Sequence, residues 1–144
     1  MVPIGGATPG YDGRTAHPHA VVALEIADPA RYRSALFAPI YPEVSPALRE
    51  AAGRASIAFL DGSFWSDDEL TTVDVAKSAR SLGHLPIGGP DGTLAALGPA
   101  PADGRRFFAH LNNTNPVLDE KSAANQAVRD AGWEVAYDGM EFQL

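Results

Sequence analysis

The sequence has 144 residues, 45% of them hydrophobic and 20% charged, which excludes a disordered chain and suits a single soluble domain with its own core. A net charge of -7 and an isoelectric point near 4.9, with no cluster of Lys and Arg, exclude nucleic acid as a partner. Cysteine is absent, so disulfides and thiolate metal sites are excluded and any metal must sit on His, Asp or Glu.

Residues 1–19 are rich in Gly, Pro and polar groups and read as an irregular N-terminal arm that cannot make a core. Within it, His17-Pro18-His19 reads as a surface feature, because proline constrains the spacing of the two imidazoles. The arm has no basic segment leading into an apolar one, and no apolar run reaches membrane-spanning length. The expectation is a cytoplasmic protein with no membrane partner.

Beyond the arm, "VVALEIA" (21–27) alternates with Val22, Leu24 and Ile26 on one face. With "DPARYRS" turning and "ALFAP" (35–39) following, it predicts a hairpin. "SPALREAAG" (45–53) predicts a short helix with Ser45 as N-cap, Pro46 in its first turn and Gly53 as its stop. "SIAFL" (56–60) is a buried strand that delivers Asp61 to its C-terminal end. Ser66 and Glu69 have the spacing of a capping box for the next short helix. The stretch 71–92 is too rich in Gly and Pro for a regular element and forms the longest functional-looking loop, with "GGPDG" (88–92) a turn. A short helix is expected at "TLAAL" (93–97) and a strand at "RRFFAHL" (105–111). A helix closed by Gly132 follows at 121–132, then a terminal strand or hairpin from "WEVAY" (133–137) and "MEFQL" (140–144). This order predicts an α/β (α+β) domain, a mixed sheet with flanking helices.

Asp61, His84 and His110 fall at strand ends or in the adjoining loop, where such sheets place their chemistry. Each has a plainer reading. Asp61 could cap the turn "DGSF", with Gly62 supplying a permissive backbone. His110 precedes "NNTNP", whose short polar side chains could fix a turn on their own. A neutral imidazole held by an ordered loop is equally a metal ligand, with Asn112, Asn113 and Thr114 orienting a bound molecule. Asn112-Asn113-Thr114 also fits a glycosylation sequon, of little weight without a secretory signal.

Four segments, "FLDGSFWSDDEL", "GHLPIGGPDGTLAAL", "FFAHLNNTNPVLDE" and "AGWEVAYDGMEFQL", together resemble the C-terminal half of the coenzyme PQQ (pyrroloquinoline quinone) synthesis protein B family. The likeness runs in consistent order from about residue 20 to the C-terminus. It implies a metallo-β-lactamase fold, so that 20–144 would be one half of that αββα sandwich. In the wider superfamily the pattern is similar to that of tRNA 3'-processing hydrolases. There an acidic residue after a strand, a Gly-His pair in the next loop and a late strand-end histidine converge on the metal. The resemblance thus implies His110 as metal ligand, Asp61 and His84 as a catalytic acid/base pair, and Asn112, Asn113 and Thr114 as substrate-binding residues.

The family's N-terminal half, with an Asp-His metal motif and a cysteine-rich zinc motif, has no counterpart here. The resemblance therefore implies part of an iron-dependent, oxygen-using hydroxylase that acts on a tyrosine-derived PQQ precursor, with the chain alone incomplete as an enzyme. Iron is the cofactor expected in the complete enzyme, zinc a substitute for it, and the isolated chain would hold metal weakly or not at all. The alternatives are a non-catalytic carrier or inactive remnant of the PQQ pathway, and a metallo-β-lactamase-type hydrolase. Self-association or pairing with the missing N-terminal half is the expected partnership.

Overall fold

The structure, a computed structural model, describes residues 1–5 and 21–144. His17 and His19 lie outside the described residues. The described residues build a mixed sheet of six strands in sequence order: β1 (Val2–Pro3), β2 (Val22–Asp28), β3 (Arg33–Ala38), β4 (Ile57–Asp61), β5 (Arg105–Ala109) and β6 (Glu134–Val135). The first three strands pair antiparallel; β3 with β4, β4 with β5 and β5 with β6 pair parallel. The parallel part brings the C-terminal ends of β4 and β5, with Asp61 opposite Ala109, to one edge of the molecule.

One face of the sheet carries the main core. Ala23, Leu36, Ala38, Ala58, Leu60 and Phe108 pack there against α1 (Pro46–Arg54) and α3 (Ala123–Asp130), through Leu48, Ala51, Ala52, Ala124 and Val128. Trp133 stacks on Phe108 with ring centroids 4.6 Å apart. On the opposite face Phe37, Phe59 and Phe107 form a stacked row, with centroids 4.7 and 5.2 Å apart. The C-terminal segment crosses that row and sets Phe142 edge-on to Phe59 and Phe107, at 5.1 and 5.0 Å.

Several local expectations are corrected. Val2–Pro3 is a strand paired with β2, and Ile4 is fully buried, so the start of the expected arm contributes to the core. Val22, Leu24 and Ile26 do share a face, but they are 42, 48 and 49% exposed, while Val21 and Ala23 face the core. Alternation reports a shared face without saying which side is covered. Helix α1 starts as expected, with the Leu48 amide donating to Ser45 Oγ at 3.1 Å, but it runs through Gly53 to Arg54. The buried Arg106 guanidinium donates to the Ala55 carbonyl at 3.1 Å and to that of Ala52, capping the helix from another strand. Burial draws this guanidinium's pKa down from its ordinary value.

Glu69 does not close a capping box. It begins a 3-10 turn (Glu69–Val73) preceded by Asp68, and its carboxylate turns inward to accept from the Trp65 amide at 2.6 Å. The last strand is β6, parallel to β5, and 140–144 is an unpaired segment laid over the aromatic row. A further 3-10 turn (Arg80–Leu82) lies in the Gly/Pro-rich loop, and α2 (Thr93–Leu97) forms where expected.

Candidate metal centre

Asp61 ends β4 and is fully buried. Its neighbour Gly62 allows the ends of β4 and β5 to close together. A Cβ at Gly62 would stand 2.8 Å from the Ala109 carbonyl oxygen and 2.9 Å from Phe108 Cβ, and the Gly62 amide donates to that same carbonyl at 2.8 Å. Close approach, rather than the expected permissive turn, is therefore what demands glycine here.

His110 leaves β5 in the left-handed region, with φ 57°. A side chain in that conformation is uncommon and strained enough to suggest a constraint on where the ring must point. The next residues lock the bend. The Asn112 amide donates to the Ser63 carbonyl at 3.1 Å, the Asn115 side-chain amide donates to the Gly62 carbonyl at 2.8 Å, and Asn115 Oδ1 accepts from Val117 N at 3.0 Å. Asn115 thus opens the 3-10 turn Pro116–Leu118.

His84 arrives from the long loop. Gly83, at φ 88°, ends the 3-10 turn before it, and the Leu85 amide donates to the Tyr41 carbonyl at 2.9 Å, pinning the loop beside the end of β3. Tyr41 is itself buried against Thr93 Oγ1 at 3.2 Å, and burial raises its phenol pKa far above the ordinary value.

The structure brings all three expected residues together. One ligand atom from each of Asp61, His84 and His110 lies within 4.8 Å of the others. His84 Nδ1 sits 2.9 Å from Asp61 Oδ2, and the two imidazoles lie face to face with centroids 5.5 Å apart. Asp61 Oδ2 also accepts from the Tyr41 amide at 3.3 Å, and Oδ1 accepts from the Ser63 amide and hydroxyl at 3.0 and 2.7 Å. These four bonds fill the roughly four lone-pair positions of a carboxylate, so Asp61 is suited to orienting its neighbours.

Sequence reasoning missed Ser63. Its hydroxyl lies 2.7 Å from Asp61 Oδ1, 2.8 Å from His110 Nδ1 and 3.0 Å from His84 Nδ1. The only available signal was a hydroxyl two residues after the acid in "DGSF". Asn112, Asn113 and Thr114 lie beside the centre. Asn113 is exposed, whereas Asn112 Nδ2 donates to Thr114 Oγ1 at 2.6 Å and Thr114 Oγ1 donates to the buried Glu69 carboxylate at 2.5 Å.

The donor set fits a divalent ion that prefers nitrogen and oxygen. Each imidazole is anchored through Nδ1, which leaves its Nε2 for another partner, and a buried carboxylate stands behind both.

No family model matches the chain. Among curated proteins it is 45% identical over 102 residues to the coenzyme PQQ synthesis protein B of Xanthomonas euvesicatoria, covering 70% of this chain and 34% of that protein. It is 38% identical over 146 aligned positions to the protein of the same name from Pseudomonas paraeruginosa, covering 99% of this chain and 48% of the relative. Among solved structures, that of Zn2+-bound PqqB from Methylobacterium extorquens matches with TM-score 0.77 at 32% identity, covering 86% of this chain and 44% of that one. The chain therefore spans about a third to a half of the length of these relatives. Its mixed sheet with helices on one face is the corresponding part of a metallo-β-lactamase fold.

Proposed function

The chain belongs to the coenzyme PQQ synthesis protein B family, and from that premise we propose that it serves PQQ biosynthesis by carrying His110 and the Asp61–His84 pair of a metal centre. The observation that carries this is the convergence of these three residues to within 4.8 Å at one end of the sheet. The structural relative is a zinc-bound protein, which agrees with a divalent metal in this family, and the His, His and Asp donors of this chain suit zinc or iron alike.

His110 would hold the ion through Nε2, since its Nδ1 is engaged. Such an ion supplies Lewis acidity and, if iron, the electron chemistry of an oxygen-using hydroxylase. His84 would exchange a proton with the substrate at Nε2. Its Nδ1 is held against Asp61 Oδ2 at 2.9 Å, which fixes the ring's orientation and leaves Nε2 as the atom that can reach a substrate. The substrate is a tyrosine-derived PQQ precursor, and Asn113, exposed at the rim, is available to bind it. A catalytic ion needs about three protein ligands. The remaining ligands would come from the portion of the relatives that this chain does not span.

The test is restoration of PQQ in a bacterium lacking its own synthesis protein B. The chain is supplied fused to the part of a relative that it does not align with, and PQQ is measured through a quinoprotein dehydrogenase. The fusion should restore PQQ, and its His110→Ala form should not. A folded, metal-loaded fusion that gives no PQQ would overturn the proposal.

A further inference from the structure

We infer that Ser63 is a positioning residue that fixes the tautomer of His110, so that one carboxylate, Asp61, sets the orientation of both imidazoles. The inference deepens the metal-centre proposal and rests on it for the purpose of the device, though not for its geometry.

The Ser63 hydroxyl has a single proton to place. Ser63 is 3% exposed, and its Oγ has four polar neighbours: Asp61 Oδ1 at 2.7 Å, His110 Nδ1 at 2.8 Å, His84 Nδ1 at 3.0 Å and the His110 carbonyl at 3.1 Å. A hydroxyl donates once and accepts twice. The proton goes to the carboxylate, which is the closest and the only anionic acceptor, because a charge-assisted bond is roughly twice as strong as a neutral one. Ser63 Oγ is then an acceptor toward both rings. His110 Nδ1 must carry its proton to meet that oxygen, and so must His84 Nδ1, which faces Ser63 Oγ and Asp61 Oδ2 together. Both rings therefore present bare Nε2 atoms, the form in which a neutral imidazole binds a metal or takes a proton.

The two histidines depend on Asp61 differently. His84 is bonded to it directly, whereas His110 reaches it only through the Ser63 hydroxyl. Removing that hydroxyl should release His110 and leave His84 held. A serine acting only as turn filler would produce no such asymmetry.

The experiment uses the metal-free chain, with its imidazole nitrogens observed by 15N NMR, and then titrates in zinc alone. In the wild type both His84 and His110 should show a protonated Nδ1 and a bare Nε2. In Ser63→Ala, His84 should keep that form and His110 should shift toward Nε2 protonation. Ser63→Thr, which retains the hydroxyl, should restore it. The chain's zinc affinity, weak in the wild type because it carries only part of the ligand set, should fall by a further factor of roughly 10 to 100 in Ser63→Ala and recover in Ser63→Thr. Wild-type His110 with a bare Nδ1 overturns the inference even if no variant folds. A Ser63→Ala chain that keeps the wild-type tautomer at His110 overturns it as well. If the tautomers behave as stated but His110→Ala leaves zinc binding unchanged, the Ser63 device stands and the metal-centre proposal fails.

Discussion

At the scale of single residues, His110 combines an exposed ring, a left-handed backbone and an engaged Nδ1. These separate its cost from its use. Removing an exposed ring opens no core cavity, so His110→Ala should lose metal while folding nearly as before. An alanine still bears the left-handed penalty, on the order of 1–2 kcal/mol, which glycine escapes. Part of that gain is offset by glycine's extra freedom when unfolded. His110→Gly should accordingly be at least as stable as His110→Ala, by up to about 1 kcal/mol, and equally unable to bind zinc. Denaturant titration of the metal-free variants checks the order; a glycine variant clearly less stable than alanine would show that the left-handed backbone at this position carries no such penalty. Strand ends and a glycine-punctuated loop marked the acid and the two histidines as candidates but left their plainer readings open, and it was the family resemblance that implied the convergence the structure has. Ser63 was not, because a serine after "DG" looks like any turn and its meaning depends on His84 and His110, 21 and 47 residues away.

At the scale of elements, the meeting of β4 and β5 is what assembles the site. Gly62 lets the Asp61 end run within hydrogen-bonding distance of Ala109, and Asn115 clamps the same glycine's carbonyl from beyond the bend. Gly62→Ala would place a methyl carbon 2.8 Å from a backbone oxygen, a contact that neither strand can relieve by a rotamer change. The expected cost is about 1–3 kcal/mol. The accompanying shift should move His110 away from Ser63 and weaken zinc binding, which parallel denaturation and zinc titration would register; unchanged values for both would mean that the strand ends are looser than the structure has them. Most element types and the β2–β3 hairpin were legible from periodicity and caps. The misreadings share one cause. The end of α1 at Arg54, the inward turn of Glu69 and the unpaired 140–144 segment are each decided by a distant partner, respectively Arg106, Thr114 and the aromatic row. Local pattern cannot contain such a partner.

At the scale of the whole molecule, the two faces of the sheet are unequal. Helices cover one. Among the described residues the other is covered only across β3–β5 by the C-terminal segment, which leaves a groove of about 490 Å³ bordered by Ile26, Phe37 and Phe59. Val22, Leu24, Ile26 and Phe37 remain 42, 48, 49 and 36% exposed on that side. Patches of this kind on a soluble domain usually mark a contact surface, and the chain spans only about a third to a half of the relatives it matches. In a symmetric pair the eight side chains, each roughly half exposed, would contribute about 6–12 kcal/mol on burial, against an association cost of roughly 4–15 kcal/mol. Gain and cost are of similar size, so self-association should be weak and concentration-dependent. Light scattering should show the apparent mass rising as the chain is concentrated. Replacing Leu24 and Ile26 together by glutamate should hold the chain monomeric with its circular dichroism unchanged, because neither side chain contributes to the core on the helical face. A wild-type chain whose mass stays that of a compact monomer at every concentration would show that this face does not bind a second copy.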